Sequence, residues 1–163
     1  MMIRRKQRKK HQISGILLIL LVVFLLVGCG QDSAVILSLP EYTQKVFYTE
    51  GVWQDFTDYG IYTFAPFDEA KLEENLYFEK VTDVENILSY FENFEGWLTE
   101  GEELSENYNF DKVWVDENDY VFINTEEGRT IGNSDCTYGK FDCYSVYFFD
   151  TDTWTLYYIH NNI

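Results

Sequence analysis

The strongest periodicity in the chain lies between Thr82 and Gly96. Val84, Ile87, Leu88, Phe91 and Phe94 recur at the three- and four-residue spacing that lines one side of a helix, with Asp83, Glu85, Asn86 and Glu92 outside it. Thr82-Asp83-Val84-Glu85 has the form of a capping box, in which hydroxyl and carboxylate each satisfy a backbone N–H left open at the helix start. Gly96 is placed to end the helix in a left-handed turn, with Trp97 and Leu98 folding back on the core. A shorter helix is predicted over Glu69 to Phe78, capped by Asp68, with Leu72 and Leu76 on one face.

Elsewhere the apolar positions fall in short runs rich in β formers. Lys45 to Tyr48 reads as a strand ended by Glu50-Gly51. Residues 56–64 carry two signals. Phe56, Tyr59 and Tyr62 recur at helical spacing, whereas Ile61-Tyr62-Thr63-Phe64 favours a strand, Gly60 weakens a helix and Pro66 stops either. Lys112 to Val115 and Tyr120 to Asn124 read as a hairpin around Asp116-Glu117-Asn118-Asp119. Residues 142–149 and 153–160 read as a second around Asp150-Thr151-Asp152. These elements predict an α+β fold: two short helices packed on an antiparallel β-meander in a single small domain.

The second hairpin is aromatic on both faces. Tyr144, Val146, Tyr147, Phe148 and Phe149 are followed by Trp154, Leu156, Tyr157, Tyr158 and Ile159, where a one-sided sheet would alternate with polar residues. Two arrangements satisfy this pattern. Helix and loop cover both faces, or Tyr144, Phe148, Trp154, Tyr157 and Tyr158 form an aromatic interaction surface for a partner.

At the amino end, Ile13 to Val27 is almost purely apolar behind a basic stretch from Met1 to Gln12. The run is shorter than the roughly 20 residues of a permanent span and suits the apolar part of a secretory signal. Leu26-Val27-Gly28-Cys29 follows it and resembles the lipobox of bacterial prolipoproteins. That resemblance implies diacylglyceryl transfer to Cys29 and cleavage between Gly28 and Cys29. The implied organisation is a signal peptide at 1–28, a lipidated cysteine with a short tether at 29–43, and an acidic domain at 44–163. The expected location is the extracytoplasmic face of the cell membrane, with the lipid as anchor.

Charge sharpens this division. The first 28 residues hold six of the chain's 12 Lys and Arg and no acid, so residues 29–163 set six cations against all 28 Asp and Glu, a balance of −22. Such a domain is repelled by phosphate backbones and anionic headgroups, which excludes nucleic acid as a partner and favours a basic protein or peptide.

Candidate chemistry is sparse. His160 is the one histidine outside the signal segment, and no serine sits in a Gly-x-Ser-x-Gly turn. Cys136 and Cys143, with a single histidine, fall short of a four-ligand zinc shell and read instead as a possible disulfide outside the cytoplasm. Asp116, Asn118 and Asp119, or Asp150 and Asp152, place oxygens on tight turns without matching a calcium loop, and turn chemistry explains them. No catalytic residue, metal site or cofactor motif is predicted.

A looser resemblance covers most of residues 51–163. Gln54-Asp55-Phe56-Thr57-Asp58-Tyr59, Tyr90-Phe91-Glu92-Asn93-Phe94-Glu95-Gly96-Trp97, and the stretch from Phe141 through Tyr147-Phe148-Phe149-Asp150 to His160-Asn161-Asn162 resemble small uncharacterised proteins of Gram-positive bacteria. No activity follows from it. The sequence is read as a membrane-anchored, non-enzymatic interaction module. The alternatives are a cell-envelope hydrolase working through carboxylates, for which a cleft with a carboxylate against Trp97 or Trp114 would speak, and a carrier of an apolar ligand.

Overall fold

The computed structural model describes residues 32–52, 55–133 and 135–162. Residues 1–31, with the expected signal segment and the lipobox-like Leu26-Val27-Gly28-Cys29, lie outside them. The chain divides into two compact units, Met1–Leu37 and Ser38–Ile163. In the first, Ala34–Leu37 (α1) makes a single helical turn closed by the Leu37 N–H donating to the Ser33 carbonyl.

The second unit is built on one six-stranded antiparallel sheet in the order β1-β2-β6-β5-β4-β3. Its strands are β1 (Tyr42–Val52), β2 (Asp55–Phe64), β3 (Glu79–Lys80), β4 (Tyr120–Thr125), β5 (Cys143–Asp150) and β6 (Thr155–Asn162). The expected α+β architecture is present, and β4, β5 and β6 form the meander. An amino-terminal hairpin, β1–β2, adds to the free side of β6. Residues 56–64 are strand: Tyr59 and Tyr62 point to opposite faces and both are buried, so the alternation that marks a half-exposed strand is missing.

Covering one face are α3 (Val84–Glu95) and α4 (Glu103–Asn107). Ile87, Tyr90, Phe91 and Phe94 of α3 are buried in one cluster with Tyr59, Tyr144, Val146, Phe148, Tyr157 and Ile159 of the sheet. Phe91 stacks on Phe110 at 3.8 Å and meets Phe148 edge-on. The helix begins one residue later than the capping box predicts. Asp83 rather than Thr82 is the cap, its carboxylate accepting from the Asn86 N–H at 2.9 Å. Gly96 ends the helix with φ −67°, in the right-handed region, and Trp97 turns outward, 49% exposed.

The opposite face is covered at one end by the segment carrying α2 (Ala70–Glu73), where Phe67 packs on Phe64, Phe149 and Trp154. This helix is far shorter than its predicted span. Asp68 accepts from the Ala70 N–H, but Asn75 takes the Tyr77 N–H and donates to Ser38, which draws the chain out of the helix. Leu72 is buried and Leu76 is 97% exposed, so the two do not share a face.

Lys112 to Val115 is not a strand. Asp111 accepts from the Val113 N–H and holds Lys112–Trp114 in a 3-10 turn, leaving Val113 in solvent while Trp114 stacks on Tyr157 at 5.3 Å. β4 pairs instead with β5 and with the two residues of β3.

Candidate functional site

Strand register sorts the polar side chains into rows across the sheet. On the face that also carries Tyr59 and Tyr144, Glu50 of β1 lies opposite Thr57, Thr57 opposite Asn161, and Asn161 opposite Tyr144. Asn161 is fully buried. Its amide nitrogen donates to the Phe141 carbonyl at 3.2 Å, but its Oδ1 accepts from no donor among the described residues. Glu50 Oε2 is likewise buried with no donor among the described residues. Leaving such an oxygen unserved costs about 1–3 kcal/mol.

Both residues line a cleft of about 200 Å³ at the end of the sheet, together with Gly51, Asp55, Phe56 and Trp97. Gly51, paired with Phe56 near the end of β1, has φ +118°, and a Cβ there would collide with the Asp55 carbonyl oxygen. The cleft therefore joins two carboxylates and a buried amide oxygen to an exposed indole. No single stretch of sequence signals it, because its residues come from β1, β2, β6 and the turn after α3.

The other face carries the row Thr49, Asp58, His160 and Ser145. Ser145 Oγ lies 2.9 Å from His160 Nδ1. Burial pushes the Asp58 carboxyl up from its ordinary value, opposed by the Thr49 hydrogen bond and by His160. Burial pushes the imidazole down, opposed by Asp58. The ring packs against Phe56 at 4.9 Å and lies parallel to Tyr158 at 6.5 Å. A hydroxyl, an imidazole and a carboxylate thus occupy consecutive strands. Since β2, β5 and β6 have neighbours on both sides, their backbone N–H groups serve the ladders and are not gathered to hold an oxyanion. Asp58 joins this row only through the pairing of β2 with β6, which no local sequence pattern signals.

No family model matches the chain, and no curated protein or solved structure matches it.

The five aromatics that would form an interaction surface on the second hairpin, under the second of the two arrangements, do not lie on one surface. Tyr144, Phe148 and Tyr157 are buried against the helices. Tyr158 lies on the opposite face, half-buried, where it packs on Tyr147 and Phe47. Trp154 sits in the turn at φ 54°, against Phe67 and Phe149. Covering by helix and loop accounts for most of the hairpin's double-sided aromatic pattern.

Cys136 and Cys143 are separate thiols in the structure, the first exposed and the second half-buried. Burial raises the Cys143 thiol pKa. The acidic turns bond to their own backbone. Asp119 accepts from the Asp116 and Thr151 N–H groups, and Asp150 from those of Asp152 and Thr153. Among the described residues no three His, Cys, Asp or Glu side chains are grouped to hold a metal ion, and no helix is long and apolar enough to cross a membrane.

Proposed function

We propose that the chain is a lipoprotein held at the outer face of the cell membrane through diacylglyceryl on Cys29, and that its acidic domain receives a basic protein or peptide. The leader ending in Leu26-Val27-Gly28-Cys29 supports the anchor. What carries the binding role is the cleft beside Trp97. It offers two buried oxygens with no donor among the described residues, in a domain with a large surplus of carboxylates.

The anchor is tested by mass spectrometry of the membrane fraction, where the first peptide should begin at an acylated Cys29. An unmodified Met1 start would remove it. The binding role is tested by titrating the full-length chain in neutral detergent with nonaarginine. Binding should weaken steeply between 50 and 500 mM salt, and affinity indifferent to salt would count against it.

A second reading rests on the same cleft, where Glu50 and Asp55 stand near an indole as a glycan-cleaving carboxylate pair would. Turnover of cell-wall fragments that disappears in Glu50→Gln would favour it over binding alone.

A further inference from the structure

We infer that the cleft lined by Glu50, Asn161 and Trp97 is a pocket for one guanidinium group, the head of an arginine side chain on the partner. This inference rests on the proposed binding role and gives it a site and a ligand chemistry.

Three features converge on that group. First, the unserved atoms are all acceptors: Glu50 Oε2 and Asn161 Oδ1 want donors, and an arginine brings five with no acceptor of its own. Asn161 already gives one amide hydrogen to the Phe141 carbonyl, and its Oδ1, like the carboxylate of Glu50, can only accept. Second, the register sets Thr57 between the two residues, so their Cα atoms are about two strand spacings, roughly 10 Å, apart. A planar fork reaches separated acceptors better than a compact ammonium. Third, Trp97 supplies an exposed aromatic face, and guanidinium stacks on indole while keeping its edge for hydrogen bonds.

Other occupants fit less well. A calcium or magnesium ion requires a shell of six or more oxygens, whereas Phe56 and Trp97 make much of this wall apolar. An anion would meet Glu50 and Asp55. A neutral amide would offer donors but would leave the carboxylates unbalanced. The volume of about 200 Å³ suits a side-chain head better than a folded segment.

The test uses the full-length chain in neutral detergent micelles, observed by NMR at the Trp97 indole N–H and the Asn161 side-chain amide. The probes are the Nα-acetyl amides of arginine, lysine and citrulline, the last being the uncharged isostere of arginine. Arginine should shift both signals saturably, lysine more weakly, and citrulline not at all. Glu50→Gln and Trp97→Ala should each weaken arginine binding about tenfold, the second by removing the 49%-exposed indole. Glu117→Gln, which removes the same charge from an exposed turn, should leave it unchanged.

Citrulline binding as well as arginine, or arginine binding unaffected by both cleft variants, would overturn the assignment. If nonaarginine binds with the expected salt dependence while the cleft signals stay still, the pocket is refuted and the broader role stands. If wild type fails to bind nonaarginine at all, both fall.

Discussion

Ser145 Oγ lies 2.9 Å from His160 Nδ1 across two adjacent strands, with Asp58 on the strand beyond. The imidazole is half-buried, and its pKa lies below the ordinary histidine value because burial outweighs the pull of Asp58. A histidine depressed in this way adds stability above its unfolded pKa of about 6.5, and loses that contribution as pH falls through the lower folded value. Its NMR titration should therefore have a midpoint below 6.5, and lower still in Asp58→Asn.

Proximity of these three groups does not make a nucleophile. The interior strands offer no gathered N–H pair for a developing oxyanion, so a fluorophosphonate should leave Ser145 unlabelled under conditions that modify serine hydrolases. Stoichiometric labelling of Ser145, seen by mass spectrometry, would reopen a hydrolytic role on this face.

Asp119 gives stability the opposite pH dependence. Burial, together with the nearby Asp116 and Asp150 carboxylates, pushes its pKa up to about 6, against the backbone N–H groups it accepts from. A carboxyl raised in the folded state contributes most below its unfolded pKa, and the contribution fades as pH rises through about 6. Urea unfolding of wild type and Asp119→Asn should then diverge in favour of wild type by on the order of 2 kcal/mol as pH is lowered from 8 to 4. A pH-independent difference would contradict this.

Two leucines predicted on one helical face should behave very differently. Leu72 is fully buried, and its replacement by alanine should cost about 2–5 kcal/mol. Leu76 is 97% exposed, and the same change there should stay within about 0.5 kcal/mol. Equal costs would restore the longer helix.

Gly51→Ala should both destabilise the domain and weaken arginine binding. Its φ of +118° is strained for any side chain, and the added Cβ would press on the Asp55 carbonyl. Thermal unfolding and the NMR titration read the two effects separately, and an unchanged unfolding temperature would show that the hairpin tolerates a side chain.

What the sequence made legible was local. The α3 stripe and the final hairpin carry patterns that nearby residues impose on one another, and both formed within a residue or two of expectation. Where a side chain outbid the regional pattern, reading failed: Asn75 cut α2 short, and Asp111 turned β-forming residues into a 3-10 turn. The strand 56–64 was ambiguous because burial on both faces erases alternation. The cleft was illegible for a different reason. Glu50 and Asn161 meet only through the pairing of β2 with β6, and neither is unusual until its neighbours are known.

That pairing also orders events in time. β6 is made after the other five strands of this sheet, yet it fills the slot between β2 and β5, so a chain growing from its amino end holds two ladders open until Thr155–Asn162 has been added. A premature stop before Thr155 would expose the facing edges of both neighbours at once, inviting the sheets of separate molecules to join where one strand should have closed them.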